Sequence, residues 1–101
     1  MLFSLSMFPV GTSDSLQEPV AVVIEEIDRA GLEYQTTGMN TVIEGEWDAV
    51  LPVIRAAHRK LAAEYDRVYL SLSVDDHPGS ENRLTGAVED VQRELGRPVA
   101  S

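Results

Sequence analysis

The chain has 101 residues, of which 44% are hydrophobic and 25% are charged, and its formal net charge is −9 at pH 7. This length suits one domain with a modest core, so we predict a single domain over residues 1–101. The 17 acidic residues against 8 basic ones exclude a basic surface for nucleic acid, and the absence of cysteine excludes disulfides, thiolate metal sites and cysteine nucleophiles.

The N-terminal segment is apolar, but its pattern is that of a strand. Apolar residues and serines alternate with the two-residue period of a strand that has one buried face: Phe3, Ser4, Leu5, Ser6 and Met7. No basic residue precedes Arg29, and no stretch approaches the roughly 18–20 apolar residues that span a bilayer. We therefore expect a cytoplasmic protein that does not contact a membrane.

A helix and a hairpin follow this strand. The apolar residues of the helix recur at helical spacing, and they are Leu16, Val20, Val23, Ile24 and Ile27. Gly31 is predicted to end the helix. Two short β-rich runs, 33–37 and 40–44, are separated by Gly38 and Met39, which predicts a hairpin with a compact turn.

The second half of the chain repeats the alternation of helix and strand. A second amphipathic helix is predicted from Asp48 onward, and the clearest strand covers residues 67–75. A final helix ends near Gly96, and its apolar residues are Leu84, Val88, Val91 and Leu95. The order predicts an α+β fold, a ferredoxin-like βαββαβ sandwich with a four-stranded antiparallel sheet and an additional C-terminal helix.

Pleating places a polar set of side chains on the sheet face that points away from the first two helices. Thr41 and Ile43 are predicted to point to the core, and the polar face contains Ser4, Ser6, Asn40, Val42, Glu44, Tyr69, Ser71 and Ser73. One hypothesis is a solvated or subunit-contacting face, and an uncovered sheet of this kind favours a homo-oligomer. The other is a site for a small polar or cationic ligand, with Glu44 as its counter-charge.

Motifs for catalysis or metal binding are weak in this sequence. Asp75, Asp76 and His77 are suitable ligands for a divalent ion, but adjacent residues at a strand end point in different directions. We find no nucleophile elbow, no phosphate-binding glycine loop and no dinucleotide fingerprint. We therefore expect no metal, no cofactor and no enzymatic activity, and an enzyme with Glu44 or Asp75 as a base is the least favoured alternative.

The hairpin and its flanks resemble the small thiamine-binding protein family. The resemblance covers nearly the whole chain and is most specific over residues 39–45. The family pattern at the turn is Pro-Met-Gly-Thr, so Met39 and Thr41 match it while Gly38 and Asn40 depart from it. Two cations that are usual in the family are replaced here by His77 and Ala87, which removes potential contacts to an anion or phosphate.

The resemblance implies a ferredoxin-like fold, dimers joined through sheets into tetramers, and binding of thiamine or its hydroxymethylpyrimidine part without catalysis. An aminopyrimidine suits hydroxyl, amide and carboxylate groups. The candidate ligand-binding residues are Ser4, Ser6, Met39, Asn40, Thr41, Glu44, Asp75 and Asp76. The alternative function is a structural or regulatory oligomerisation module without a small-molecule ligand.

Overall fold

The structure is a computed structural model that describes residues 1–12, 15–78 and 83–99. Strands and helices follow in the predicted βαββαβ order with an additional C-terminal helix, so the predicted fold class is confirmed. The elements are β1 (Leu2–Pro9), α1 (Gln17–Arg29), β2 (Glu33–Thr36), β3 (Thr41–Glu44), α2 (Trp47–Glu64), β4 (Val68–Asp75) and α3 (Arg83–Leu95).

The sheet is four-stranded and antiparallel, in the order β2-β3-β1-β4. β1 is a central strand, because it pairs with β3 on one side and with β4 on the other. Phe3 lies opposite both Ile43 and Val74, and Ser4 lies opposite both Val42 and Ser73. Cross-strand partners share a face of the sheet, so these rows separate an apolar face from a polar one, as the alternation in the sequence predicts.

The hydrophobic core lies between the apolar sheet face and the helices α1 and α2. Every second residue of β1 is buried, and Phe3 is completely inaccessible to solvent. The Trp47 ring at the start of α2 packs edge-on against the Phe3 ring, with centroids 5.4 Å apart. The buried apolar residues of this core are Phe3, Leu5, Met7, Val23, Ile27, Ile43, Val50, Ile54, Ala57 and Leu61.

The predicted helix ends are also found. Gly31 follows α1 with φ of 76°, and Gly96 follows α3 with φ of 72°. Glycine adopts this left-handed conformation without the steric cost that other residues have, so both positions end their helices. In the described part of the chain, no helix is long and apolar enough to cross a membrane.

The second face of the sheet is only half open, and the expectation that a single layer of helices leaves this face bare is wrong. Ile43 is buried with α1 and α2, so its neighbour Glu44 points to the opposite face. There the Glu44 carboxylate accepts hydrogen bonds from the backbone N–H groups of Arg83 (3.1 Å) and Leu84 (2.9 Å). These bonds hold the N-terminus of α3, and α3 lies over β2 and β3.

Candidate functional site

A pocket of about 350 Å³ opens between α1 and the β2–β3 hairpin, on the side of the sheet that α1 covers. We call it the hairpin pocket. One wall is formed by apolar residues of α1, and the opposite wall is formed by residues 36–41 of the hairpin. The described residues that line it are Leu5, Ser6, Met7, Phe8, Leu16, Val20, Val23, Ile24, Thr36, Thr37, Gly38, Met39, Asn40 and Thr41.

The chemistry of the hairpin pocket is neutral and mainly apolar. None of the described residues that line it carries a charge. Its polar groups are hydroxyls and one amide, and they lie along the hairpin wall and the adjoining β1 strand. A concave apolar pocket with a few convergent polar groups is the usual form of a small-molecule site.

The turn at residues 37–40 is ordered by its own hydrogen bonds. The Thr37 backbone N–H donates to the Asn40 carbonyl over 2.8 Å. The Thr37 hydroxyl oxygen accepts hydrogen bonds from the backbone N–H groups of Met39 (3.1 Å) and Asn40 (3.3 Å). Side chains of this type stabilise turns by replacing backbone partners, so the wall of the pocket is preformed.

The same turn is hydrogen-bonded to β1 through Ser4 and Ser6, two of the predicted binding residues. The Ser6 hydroxyl donates to the Met39 carbonyl over 2.9 Å. The Asn40 amide nitrogen donates to the Ser4 hydroxyl oxygen over 2.7 Å. Asn40 therefore lies with the serines, as predicted from the pleat, and the structure brings four of the candidate binding residues together around one turn.

Thr41 joins this group from the other face of the sheet. Only 6% of its surface is exposed, and its hydroxyl lies 2.9 Å from the Thr36 hydroxyl. Its position on the core face agrees with the pleat prediction, and it still lines the hairpin pocket. Met39 lies at the tip of the turn and is 87% exposed.

The three acidic candidates lie at the opposite end of the strands. Leu2 pairs with both Glu44 and Asp75, so the two acidic residues belong to one row across the sheet. Leu2 and Ser6 are about 13 Å apart along β1, at roughly 3.3 Å per residue. Asp76 is exposed just beyond β4. The candidate residues are thus divided between two places, and a ligand contact by the acidic three stays a prediction.

Glu44, at this acidic end of the strands, has a structural role of its own. Both carboxylate oxygens of Glu44 accept backbone hydrogen bonds from α3, so its negative charge stabilises the N-terminus of that helix. Among the described residues, no group of three or more His, Asp or Glu side chains is placed to hold a metal ion. The counter-charge role predicted for Glu44 stays a prediction, and its capping role was not foreseen.

Sequence reasoning missed the α1 wall of the pocket and the turn residue Thr37. Leu16 and Val20 were assigned to the buried stripe of an amphipathic helix, but they are 45% and 40% exposed. A residue that lines a pocket and one that lines the core have the same helical period. Thr37 offered a weak signal, since a threonine hydroxyl can bond the backbone two residues on, as it does here with the Met39 N–H.

The chain is similar to known proteins over most of its length. Residues 3–92 match the family described as thiamine-binding protein. The chain belongs to the thiamine-binding protein family. The resemblance found in the sequence is therefore confirmed, and the matched range includes the whole hairpin pocket.

Relatives and solved structures of similar length support this family membership. A UPF0045 protein of Mycobacterium bovis is 36% identical over 99 residues, which is 97% of either chain. A UPF0045 protein of Methanothermobacter thermautotrophicus is 35% identical over 94 residues, covering 90% of this chain and 95% of the relative.

Two crystal structures show the same fold. That of a Methanocaldococcus jannaschii protein has a TM-score of 0.76 and 29% identity over 94% of each chain. That of a Thermotoga maritima protein has a TM-score of 0.78 and 24% identity, over 89% of this chain and 96% of the other. The ferredoxin-like arrangement is thus shared along nearly the whole chain.

Proposed function

We propose that this member of the family binds thiamine, or its hydroxymethylpyrimidine part, in the hairpin pocket and catalyses no reaction on it. The observation that carries the proposal is the position of Met39, Asn40 and Thr41. These residues begin the segment on which the resemblance to the family is most specific, and they form one wall of a neutral pocket of about 350 Å³.

The pyrimidine part of thiamine suits the chemistry of this pocket. An aminopyrimidine ring is flat and neutral, with an amine that donates and ring nitrogens that accept hydrogen bonds. The hydroxyls of Thr36 and Thr41, which lie 2.9 Å apart on the side of the sheet that α1 covers, can both donate and accept. The apolar side chains of Val20 and Ile24 on the opposite wall can cover the faces of the ring.

The cationic thiazolium is proposed to remain at the mouth of the pocket. None of the described lining residues offers a carboxylate, so nothing within the pocket compensates for the cost of burying a charge. The chain as a whole carries a formal charge of −9, and its field attracts a cation at the surface. The Thermotoga maritima neighbour has a proposed role in thiamine biosynthesis or salvage, but at 24% identity it supports only the fold of this chain. The support for thiamine as the ligand comes from the family match.

We also propose that the protein acts in the cytoplasm as a homodimer or homotetramer. β4 is an eight-residue edge strand of the sheet, and long edge strands tend to pair or to be covered. α3 covers β2 and β3 on the polar face, which leaves the β1–β4 half of that face for a partner. The apolar N-terminal residues form the central strand β1 and are part of the fold.

Thermal unfolding with and without ligand tests the binding proposal. Hydroxymethylpyrimidine or thiamine at 100 times its dissociation constant should stabilise the protein by about 2.7 kcal/mol, which raises the Tm of a domain of this size by about 10–20 °C. Val20→Trp should abolish the shift, because the indole fills the pocket. Leu51→Trp is the matched control, since Leu51 is 37% exposed on α2 and Val20 is 40% exposed on α1.

Two results would overturn parts of this proposal. If the folded wild-type protein shows no shift with either compound, the binding function is wrong and the oligomerisation module becomes the better hypothesis. If Val20→Trp and Leu51→Trp keep equal shifts, ligand binds, but outside the hairpin pocket.

A further inference from the structure

The hairpin turn extends beyond the part of the sheet that backbone pairing holds in place. β3 pairs with β1 from Glu44, opposite Leu2, to Thr41, opposite Leu5. Residues 37–40 come before the first residue of β3, and β2 on the outer side of β3 is an edge strand of four residues. The ladder between β3 and β1 therefore ends where the turn that forms the pocket wall begins, and the position of this wall depends on side chains.

The Asn40 side chain connects the turn to the central strand with both ends of its amide. The Nδ2 group donates to the Ser4 hydroxyl oxygen over 2.7 Å. The Oδ1 atom accepts a hydrogen bond from the Thr37 hydroxyl over 3.1 Å. Ser4 lies opposite Val42, so Asn40, two residues before Val42, is its diagonal neighbour across the two strands. One amide thus joins the first and last residues of the turn to β1.

This bridge lies on the face of the sheet opposite the hairpin pocket. Ser4 shares its face with Ser73, which is the polar face that points away from α1. The pocket opens on the side that α1 covers, and Ser4 is not among the described residues that line it. Because the Asn40 amide is directed toward Ser4, it acts on a ligand through the position of the turn and not by contact.

The tip of the turn has little packing of its own. The Met39 side chain is 87% exposed. Apart from the chain neighbours of Gly38, no atom in the described part of the chain lies within 4 Å of the position that a Cβ on Gly38 would occupy. The hydrogen bonds of the turn therefore supply its order. A wall that is already ordered binds a ligand at a lower entropy cost than one that must be ordered by the ligand.

We infer that Asn40 is a positioning residue for the hairpin pocket, because its side chain holds the 37–40 turn to Ser4 from the polar face of the sheet. The inference rests on the ligand binding proposed above and deepens it. It gives Asn40 and Ser4, which the sequence suggests as contact residues, an indirect role. Ser4 then affects ligand binding only through Asn40.

A double-mutant cycle tests this inference, with the dissociation constant of hydroxymethylpyrimidine measured by isothermal titration. Asn40→Ala and Ser4→Ala each break the bridge and should weaken binding by about threefold to tenfold, the usual effect of one or two lost hydrogen bonds. The double variant should bind no more weakly than Asn40→Ala alone, because both substitutions break the same link. Ser73→Ala is the matched control, since Ser73 lies opposite Ser4 on β4 and takes no part in the bridge.

Hydrogen exchange distinguishes a loosened turn from a general loss of stability. In the free Asn40→Ala protein the amides of residues 39 and 40 should exchange about threefold to tenfold faster, whereas those of the core strand β1 should keep their wild-type rates. The Ser6 bond to the Met39 carbonyl remains, so the turn is loosened and not lost. Saturating hydroxymethylpyrimidine should restore slow exchange at residues 39 and 40, because the bound ligand holds the wall.

The outcomes separate this inference from the proposed function. A folded wild type that does not bind hydroxymethylpyrimidine would overturn the function itself. If the wild type binds, an unchanged affinity in Ser4→Ala would overturn only the positioning role and, with weaker binding in Asn40→Ala, would make Asn40 a direct contact. Losses that multiply in the double variant, or faster exchange throughout β1 in Asn40→Ala, would overturn it as well.

Discussion

The phenol of Tyr34 on β2 forms a hydrogen bond that connects the sheet to the last turn of α1. It donates to a carboxylate oxygen of Asp28 over 3.0 Å. This hydrogen bond, the burial of the phenol and the negative charge of Asp28 all raise the pKa of Tyr34 above its ordinary value of 10.0. The protonated tyrosine is therefore favoured in the folded state, and the bond contributes stability only while the phenol keeps its proton.

Tyr34→Phe is expected to show this effect in the pH dependence of unfolding. The folded pKa is raised, so the extra stability of the wild type is fully present below pH 10 and is lost as pH rises through the folded pKa. The wild type should exceed the variant in free energy of unfolding at about pH 8, and the difference should shrink by about pH 11. Denaturant unfolding measures it, with Tyr69→Phe as control, and a difference that grows with pH would contradict the assignment.

At the same scale, the polar half of the candidate site could be predicted from the sequence and the apolar half could not. Strand alternation decides which face each side chain takes, so Ser4, Ser6, Asn40 and Thr41 were placed correctly. Val20 and Ile24 were not recognised as pocket residues, because helical periodicity gives the same pattern for a core contact and a pocket wall. Only the position of α1 relative to the hairpin separates the two.

At the scale of elements, Glu44 decides how α3 is placed. A 13-residue amphipathic helix can pack on either side of the sheet, and the sequence of α3 itself does not select a side. The bonds from Glu44 to the backbone of Arg83 and Leu84 do so across about 40 residues of sequence. Periodicity predicts that an element exists, whereas such long-range bonds determine where it docks.

Glu44→Gln should therefore loosen α3. A neutral amide has one acceptor oxygen and lacks the charge that favours a helix N-terminus, and losing a cap costs about 0.5–2 kcal/mol. Hydrogen exchange of the α3 amides should accelerate by about 2–30-fold, while Glu64→Gln at the exposed end of α2 should leave it unchanged. Unaltered exchange in Glu44→Gln would contradict the capping role.

The same variant tests the counter-charge hypothesis. If Glu44 faces the cationic part of a bound ligand, Glu44→Gln lowers affinity for thiamine more than for neutral hydroxymethylpyrimidine. Equal affinities before and after substitution, together with faster exchange in α3, would assign Glu44 to α3 alone. Isothermal titration with both compounds supplies the comparison.

At the scale of the whole molecule, the distribution of charge separates three regions. The hairpin pocket has no charged residue among those described. Residues 83–97, which include α3, carry three arginines and three acidic residues, so the rest of the chain carries the net charge of −9. Much of the basic charge is paired within the chain, since Lys60 on α2 contacts Glu26 on α1, and Arg83 and Arg93 contact Asp90. Two copies of the chain that associate as proposed therefore do so against long-range repulsion between their acidic surfaces.

Salt should strengthen this association. Raising the ionic strength from about 0.02 M to about 0.3 M shortens the screening length from about 20 Å to about 6 Å, which weakens the repulsion between acidic copies. The dissociation constant of the oligomer should fall by about threefold to tenfold, as measured by sedimentation equilibrium. Arg93→Asp, being more acidic, should respond more steeply. Dissociation by salt would instead mean that ion pairs hold the copies together.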